Sequence, residues 1–339
     1  MKTRSRTRTV VGVAAALFCL VGCGKEPSVV VVYTALDEMY SRPVLDEFEN
    51  RTGTEVRAVY DTEAAKTTGL VTRLIAEQAR PRADVFWNNE VAQTIVLKNK
   101  GVIEPYLSPS AKPIPAKFKD PEGYWTGFAA RARVIIYNTD LVRDPPTSMH
   151  DFLKEEWSGK AAIAVPLFGT TATHAAALFA FWGDEEAKDF FRGLLENNVA
   201  VLAGNATVRD MVARGEYAVG LTDTDDANGA IEDGLPAQWL LPDQEPGGLG
   251  TLVIPNTVAL VKGGPNPDAG KALIDFLLSP EVESKLARTR SIQIPLNPSV
   301  EAPEKVPDLA KIKTIDVSFE ATAAKMAVAA EFIQKEFLR

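Results

Sequence analysis

The stretch VVVVYTALDEMYSRPVLDEFENRTGTEVRAVY, residues 29–60, decides the fold class. Its first seven residues are a continuous apolar run, as expected of a strand covered on both faces. The run stops at Leu36-Asp37-Glu38. Val44, Leu45 and Phe48 then recur at helical spacing, and Gly53 supplies the residue best suited to a left-handed helix end. Residues 55–60 alternate as a second strand. Strand, helix and strand in so short a span predict a parallel β-α-β unit.

The same alternation continues outward. Leu70, Val71, Leu74 and Ile75 form a helical stripe. ADVFW (83–87) reads as a strand, and VAQTIVLKNKG (91–101) as a helix ending at Gly101. RARVIIYN (131–138) and AAIAVP (161–166) are strands, with helices over 173–182 and 184–197. Val208, Met211 and Val212 mark a shorter helix ending at Gly215. GTLVIPNTVALVKGG (250–264) is strand-like, and its Pro255 predicts a break, an edge or a bend, because proline cannot donate to a sheet ladder. Helices follow over 268–279 and 321–337. The expectation is an α/β fold in two lobes, each a mostly parallel sheet flanked by helices, with a cleft between them. The extended segments 131–138 and 251–259 are expected to cross between lobes as hinges. Lobe 1 is assigned 29–130 and 252–300, and lobe 2 is assigned 131–251 and 301–339.

A chain of 339 residues suits two domains, and its 46% hydrophobic content is that of a globular protein. The first residues are a separate object. Lys2, Arg4, Arg6 and Arg8 precede an apolar run from Val10 to Val21, which has the length of a signal-peptide core. Leu20-Val21-Gly22-Cys23 looks like a bacterial lipobox. Residues 1–22 are therefore read as a lipoprotein signal peptide, Cys23 as the lipidated residue and 23–28 as a tether. Removing 1–22 takes away four positive charges and no acid, so the net charge of −8 becomes −12. Such an acidic body argues against nucleic acid as a partner. The two cysteines are Cys19 and Cys23, so the mature body has no disulfide. The expected location is outside the cytoplasm on a lipid anchor, as a monomer.

Catalytic patterns are missing from the sequence. There is no G-x-S-x-G, P-loop, H-E-x-x-H or C-x-x-C, and the histidines are His150 and His174 alone. No enzyme and no catalytic cofactor are expected. Binding groups do recur where strands end, which is where open α/β sheets hold ligands. Asp37 follows the first strand. Asn88, Asn89 and Glu90 follow ADVFW. AVGL (218–221) stops in a knot of three carboxylates, Asp223, Asp225 and Asp226, which repel one another and call for water or a cation. GTTATH (169–174) offers hydroxyls and backbone N–H groups to an anion. Helix capping is the plainer use of that segment taken alone.

Five segments resemble, in order and spacing, the periplasmic ferric-iron-binding proteins of ABC importers and the wider type II extracellular solute-binding proteins. They are 30–56, ADVFWNNE (83–90), YWTGFAARARVIIYNTDLV (124–142), EYAVGLTDTDD (216–226) and IPNTVALVKGGPNPDAGKALIDFLLSPE (254–281). The resemblance implies two hinged lobes closing on a small solute, docking on a permease with its ATPase, and no chemistry on the ligand. It also implies a departure. A pair of tyrosines that binds ferric iron in the family falls on Asp225 and Asp226. A histidine falls on Asp37, and a glutamate on Asn89, or on Glu90 if the loop slips by one. Synergistic-anion positions fall near 169–173 and 204–207, which include Thr170, Thr171 and Asn205.

Two ligands fit these residues. Asp37, Glu90, Asp225 and Asp226 could cage a hard cation such as Fe³⁺, with a synergistic anion; this is the first expectation. Alternatively, the carboxylates hold an ammonium or the hydroxyls of an organic solute (a phosphonate, polyamine, thiamine-like cation or polyol). Asp223 and Arg131 join the ligand-binding set, with Arg133 as an alternative to Arg131. Trp87 and Tyr60 are candidates to stack on an organic cation. A hydrolase or sensor on the same scaffold is the minor alternative.

Overall fold

The computed structural model describes residues 28–61 and 67–338. The residues read above as a leader, and Cys23 read as the lipidated residue, lie outside the described residues. No helix among the described residues is long and apolar enough to cross a membrane.

The first unit forms as the opening stretch predicts. β1 (Val29–Thr34) leads into α1 (Glu38–Thr52), which ends at Gly53 with φ +69°, and β2 (Glu55–Tyr60) pairs parallel to β1. α1 starts earlier than the apolar stripe suggests and carries Pro43 in its interior. α2 (Thr68–Ala76), β3 (Val85–Asn88), α3 (Ala92–Asn99) and β4 (Ile103–Glu104) follow. A long strand, β5 (Thr126–Asn138), comes next. After it are β6 (Ala161–Ala164), α4 (Gly169–Trp182), α5 (Asp184–Glu196), β7 (Ala200–Leu202) and α6 (Asn205–Ala213). β8 (Val219–Asp223) runs directly into α7 (Thr224–Glu232), followed by β9 (Ala237–Leu240) and β10 (Val253–Val261). α8 (Pro267–Leu277), α9 (Pro280–Arg288) and α10 (Phe319–Phe332) complete the series.

The strands form one mixed sheet in the order β2-β1-β3-β10-β5-β8-β6-β7, with β4 on β10 and β9 on β5. β5 joins its two halves. Residues up to Ala132 pair antiparallel with β10, whereas Arg133–Tyr137 pair with β8 and Ile135–Asn138 with β9. Arg131 and Arg133 flank that changeover. β10 continues through Pro255, at the cost of a register shift against β5 between Ile254 and Asn256. The left-handed Ala129 (φ +44°) lies on β5 near the same point, and its N–H is held by the Glu283 carboxylate at 2.7 Å.

Apolar side chains cover both faces of the sheet. α1 and α8 pack through Val44, Leu45, Phe48, Leu273 and Leu277, in the same core as Val208 and Val212 of α6. On the other side Phe179, Phe191 and Phe332 bring together α4, α5 and α10. Helices thus cover both faces of a mixed sheet built in two halves, an α/β architecture as expected. Five of these elements escaped the periodicity: the helices α7 and α9, and the short strands β4, β7 and β9, of two, three and four residues.

Candidate functional site

A cavity of about 320 Å³ opens at the carboxyl ends of strands from both halves of the sheet. Asp37, Met39 and Tyr40 enter it from the β1–α1 turn, and Asn89 from the β3–α3 turn. From the other half come Phe168–Thr171, Gly204–Ala206 and the Asp223–Asp226 turn. Arg131 enters from β5, Arg209 from α6 and Arg290 from the segment after α9.

The carboxylate knot is a strand end that becomes a helix start. Asp223 is the last residue of β8, and Asp225 and Asp226 lie in the first turn of α7, where the helix dipole favours negative charge. Asp223, Asp225 and Asp226 each place one oxygen within 4.8 Å of the others. Arginines answer that charge. The Arg133 guanidinium donates to Asp223 at 2.7 Å, and Arg131 lies 3.3 Å from Asp225 and 3.9 Å from Asp223. Arg209 stands 3.8 Å from Asp226. Burial alone would raise the Asp223 carboxyl. Arg133 and Arg131, with the Thr170 hydroxyl, overcome it and hold the group below the usual carboxylate range. Burial works against the charged Arg131, and Asp225 and Asp223 more than restore it.

Asp223 is thus a positioning residue more than an open ligand. Its second oxygen accepts from the Thr170 hydroxyl at 2.5 Å and from the Asn205 amide at 3.0 Å. Asn205 in turn accepts from Thr171 and Arg133, both at 3.1 Å. The network fixes the starts of α4 and α6 side by side. GTTATH, expected as a loop ahead of a helix, is itself the first six residues of α4. Its first N–H groups have no partner within the helix, and Gly169, Thr170 and Thr171 are among the residues that line the cavity. Four helices, α1, α4, α6 and α7, therefore begin at this cavity.

Of the residues singled out by sequence, Asp37, Asn89, Arg131, Thr170, Thr171, Asn205, Asp223, Asp225 and Asp226 line the cavity. Trp87, Glu90, Tyr60 and Arg133 do not. Trp87 is fully buried against Phe128, its strand being covered on both faces. Glu90 is also fully buried, and turns back on its own helix. It accepts from the backbone N–H of Ala92 (2.7 Å) and Gln93 (3.0 Å), from Asn88 (2.9 Å), and from Thr173 of α4 (2.6 Å). Tyr60 lies outside the lining as well, beneath the Arg42 guanidinium. Arg133 sits behind the wall with no exposure.

Sequence reasoning missed Met39, Tyr40, Phe168, Arg209 and Arg290. Arg209 carried a signal, being four residues after Asn205 and so on the same face of α6. Tyr40 is half-buried. Desolvation pushes its hydroxyl up to about 12, with Asp225 and Asp37 adding to the effect, so the group stays a neutral donor. Arg290 is brought in by its hydrogen bond to the Gly229 carbonyl (2.7 Å), a contact 61 residues distant in sequence.

A walled cavity at facing strand ends, with convergent polar groups and an ordered charge network, defines a solute-holding protein. Known proteins carry this further. The family described as "Bacterial extracellular solute-binding protein" matches residues 44–314, and the chain belongs to it. Iron uptake protein A1 of Synechocystis sp. is 26% identical over 89% of this chain and 84% of its own length. A putative 2-aminoethylphosphonate-binding periplasmic protein of Salmonella typhi is 27% identical over 77% of each chain. Iron-bound HitA of Pseudomonas aeruginosa superposes with a TM-score of 0.81 at 21% identity, covering 90% of this chain and 99% of that one.

Proposed function

We propose that the protein captures a small organic anion, a phosphonate or phosphate ester bearing an amino or hydroxyl group, and delivers it to an ABC permease and its ATPase. The carrying observation is the meeting of the α4 and α6 N-termini with Arg131, Arg209 and Arg290 around one cavity; the starts of α1 and α7 there already carry aspartates. Helix starts and guanidiniums both favour an anion. Asp37, Asp225 and Asp226 suit a second group that donates hydrogen bonds or carries positive charge. The relative named for 2-aminoethylphosphonate supports a ligand with both ends. Closure is assigned to rotation about β5 and β10, with lobe boundaries near 130/131, 251/252 and 300/301. Lipid on Cys23 supplies the anchor.

A second reading keeps the hard cation as cargo. The three clustered aspartate oxygens and the relative named for iron uptake favour it. Against it, Asp223 and Asp225 already face guanidiniums, and no tyrosine stands at 225 or 226 to supply phenolate. Fe³⁺ at Asp37, Asp225 and Asp226 would have to compete with Arg131 and Arg209 for the same oxygens.

Native mass spectrometry of protein purified without added ligand, paired with elemental analysis, separates the two. Thermal unfolding with 2-aminoethylphosphonate and with ferric citrate as probes is the companion measurement, since a ligand bound by the native state alone raises stability by mass action. A saturable upward shift with the phosphonate is expected. One equivalent of iron, with a shift from ferric citrate alone, would select the cation reading instead.

A further inference from the structure

We propose that Met39 and Phe168 clamp the carbon body of the ligand, so that the site selects an organic phosphonate or phosphate ester over a bare anion. This rests on the reading of the cavity as an anion site. Scattered exposed apolar side chains are normal on any surface and by themselves mean nothing. Position makes these two informative. Among the described residues, they are the two large, exposed hydrophobic side chains that line this cavity, at 64% and 37% exposure.

They also arrive from different halves of the sheet. Met39 is in the first turn of α1, and Phe168 immediately precedes Gly169 at the start of α4. Each is therefore chained to a helix that begins at the cavity. Ala164, Val165, Ala203 and Ala206 continue the apolar lining beside Phe168. Volume points the same way. A cavity of about 320 Å³ equals roughly ten liquid-water volumes, far more than one tetrahedral anion fills. Polar groups make much of the wall, and Met39, Phe168 and those four residues make its apolar part, the part that a carbon chain covers without stranding polar groups. An unbranched thioether adapts to varied shapes, and the phenyl ring gives a flat wall.

The test compares methylphosphonate with propylphosphonate by calorimetric titration of the folded chain. The head groups match, and two methylenes separate the probes. Burial of two methylenes predicts propylphosphonate binding about tenfold tighter. In the double variant Met39→Ala with Phe168→Ala, that ratio should fall below about threefold, with methylphosphonate affinity nearly unchanged. Met39→Leu with Phe168→Leu should retain the preference. Both positions are exposed, so the variants should unfold in urea as the parent does. Equal affinity for the two probes in the parent, or equal weakening of both in the alanine variant, overturns the clamp and leaves the anion site standing. Failure of both probes to bind the parent overturns the anion site, and the clamp with it.

Discussion

The β3–α3 turn and the β8–α7 turn look alike in sequence. Each ends a buried strand in polar residues, opens a helix and carries carboxylate. One is closed and the other open. Glu90 spends its oxygens on the first N–H groups of its own helix, on Asn88 and on Thr173. Asp223 is tied down by Arg133, Thr170 and Asn205, and that tie leaves Asp225 and Asp226 along the cavity wall. A carboxylate at a strand end is a ligand candidate when another residue does the capping and charge balancing for it. α4 touches both turns, through Thr170 on one side and Thr173 on the other.

The largest effect expected of a single change is at the open turn. Arg133→Met removes the guanidinium that faces a fully buried Asp223 and should cost about 3–5 kcal/mol in urea unfolding, because a buried charge is left without its main partner. Adding Asp223→Asn should recover most of that loss. A cost below about 1 kcal/mol for Arg133→Met would mean that Arg131 alone balances Asp223, and the open turn would no longer depend on a buried pair.

Much of this was legible in the order of residues. β1, α1 and β2 could be read from apolar spacing and Gly53, because local periodicity is what decides them. The long β5 showed as an extended run, and its arginines marked the changeover between the two half-sheets. The open turn was legible as a knot of like charge. Its neutralisation was not, because Arg133 and Asp223 are 90 residues apart and meet only through the β5–β8 pairing. Glu90 is held by near neighbours, Asn88, Ala92 and Gln93, and by Thr173, which lies 83 residues away and does not show in the local sequence. The short β4 and β9 left no periodic signal, and α9 was hidden behind Pro280, which is itself the first residue of that helix.

A middle-sized effect tests α4 between the turns. His174 is buried, and desolvation, with Arg133 adding to it, pushes its pKa down to about 3, while Asp223 pulls weakly the other way. The folded chain therefore holds it neutral, whereas the unfolded chain protonates it near its ordinary value. Its contribution is complete above about pH 6.5 and declines as pH falls toward about 3. Between pH 6.5 and 5 the decline should be about 2 kcal/mol. Glu90, raised by burial, pulls oppositely, so the difference between parent and His174→Met isolates the histidine. Chemical unfolding at several pH values should show the variant losing less stability than the parent over that range. Parallel curves would mean that water reaches His174.

The smallest effect bears most directly on the contrast between the turns. Thr173→Val keeps the side-chain shape and deletes the hydroxyl that donates to Glu90 across the two halves of the sheet. One hydrogen bond to a carboxylate that keeps three other donors should be worth about 1–2 kcal/mol in unfolding. The thermal shift produced by 2-aminoethylphosphonate should survive unchanged, because Thr173 and Glu90 both stand behind the cavity wall. Loss of that shift with little change in unfolding would reverse the assignment: the closed turn would then be governing ligand capture, and Glu90 would belong with Asp225 and Asp226 after all.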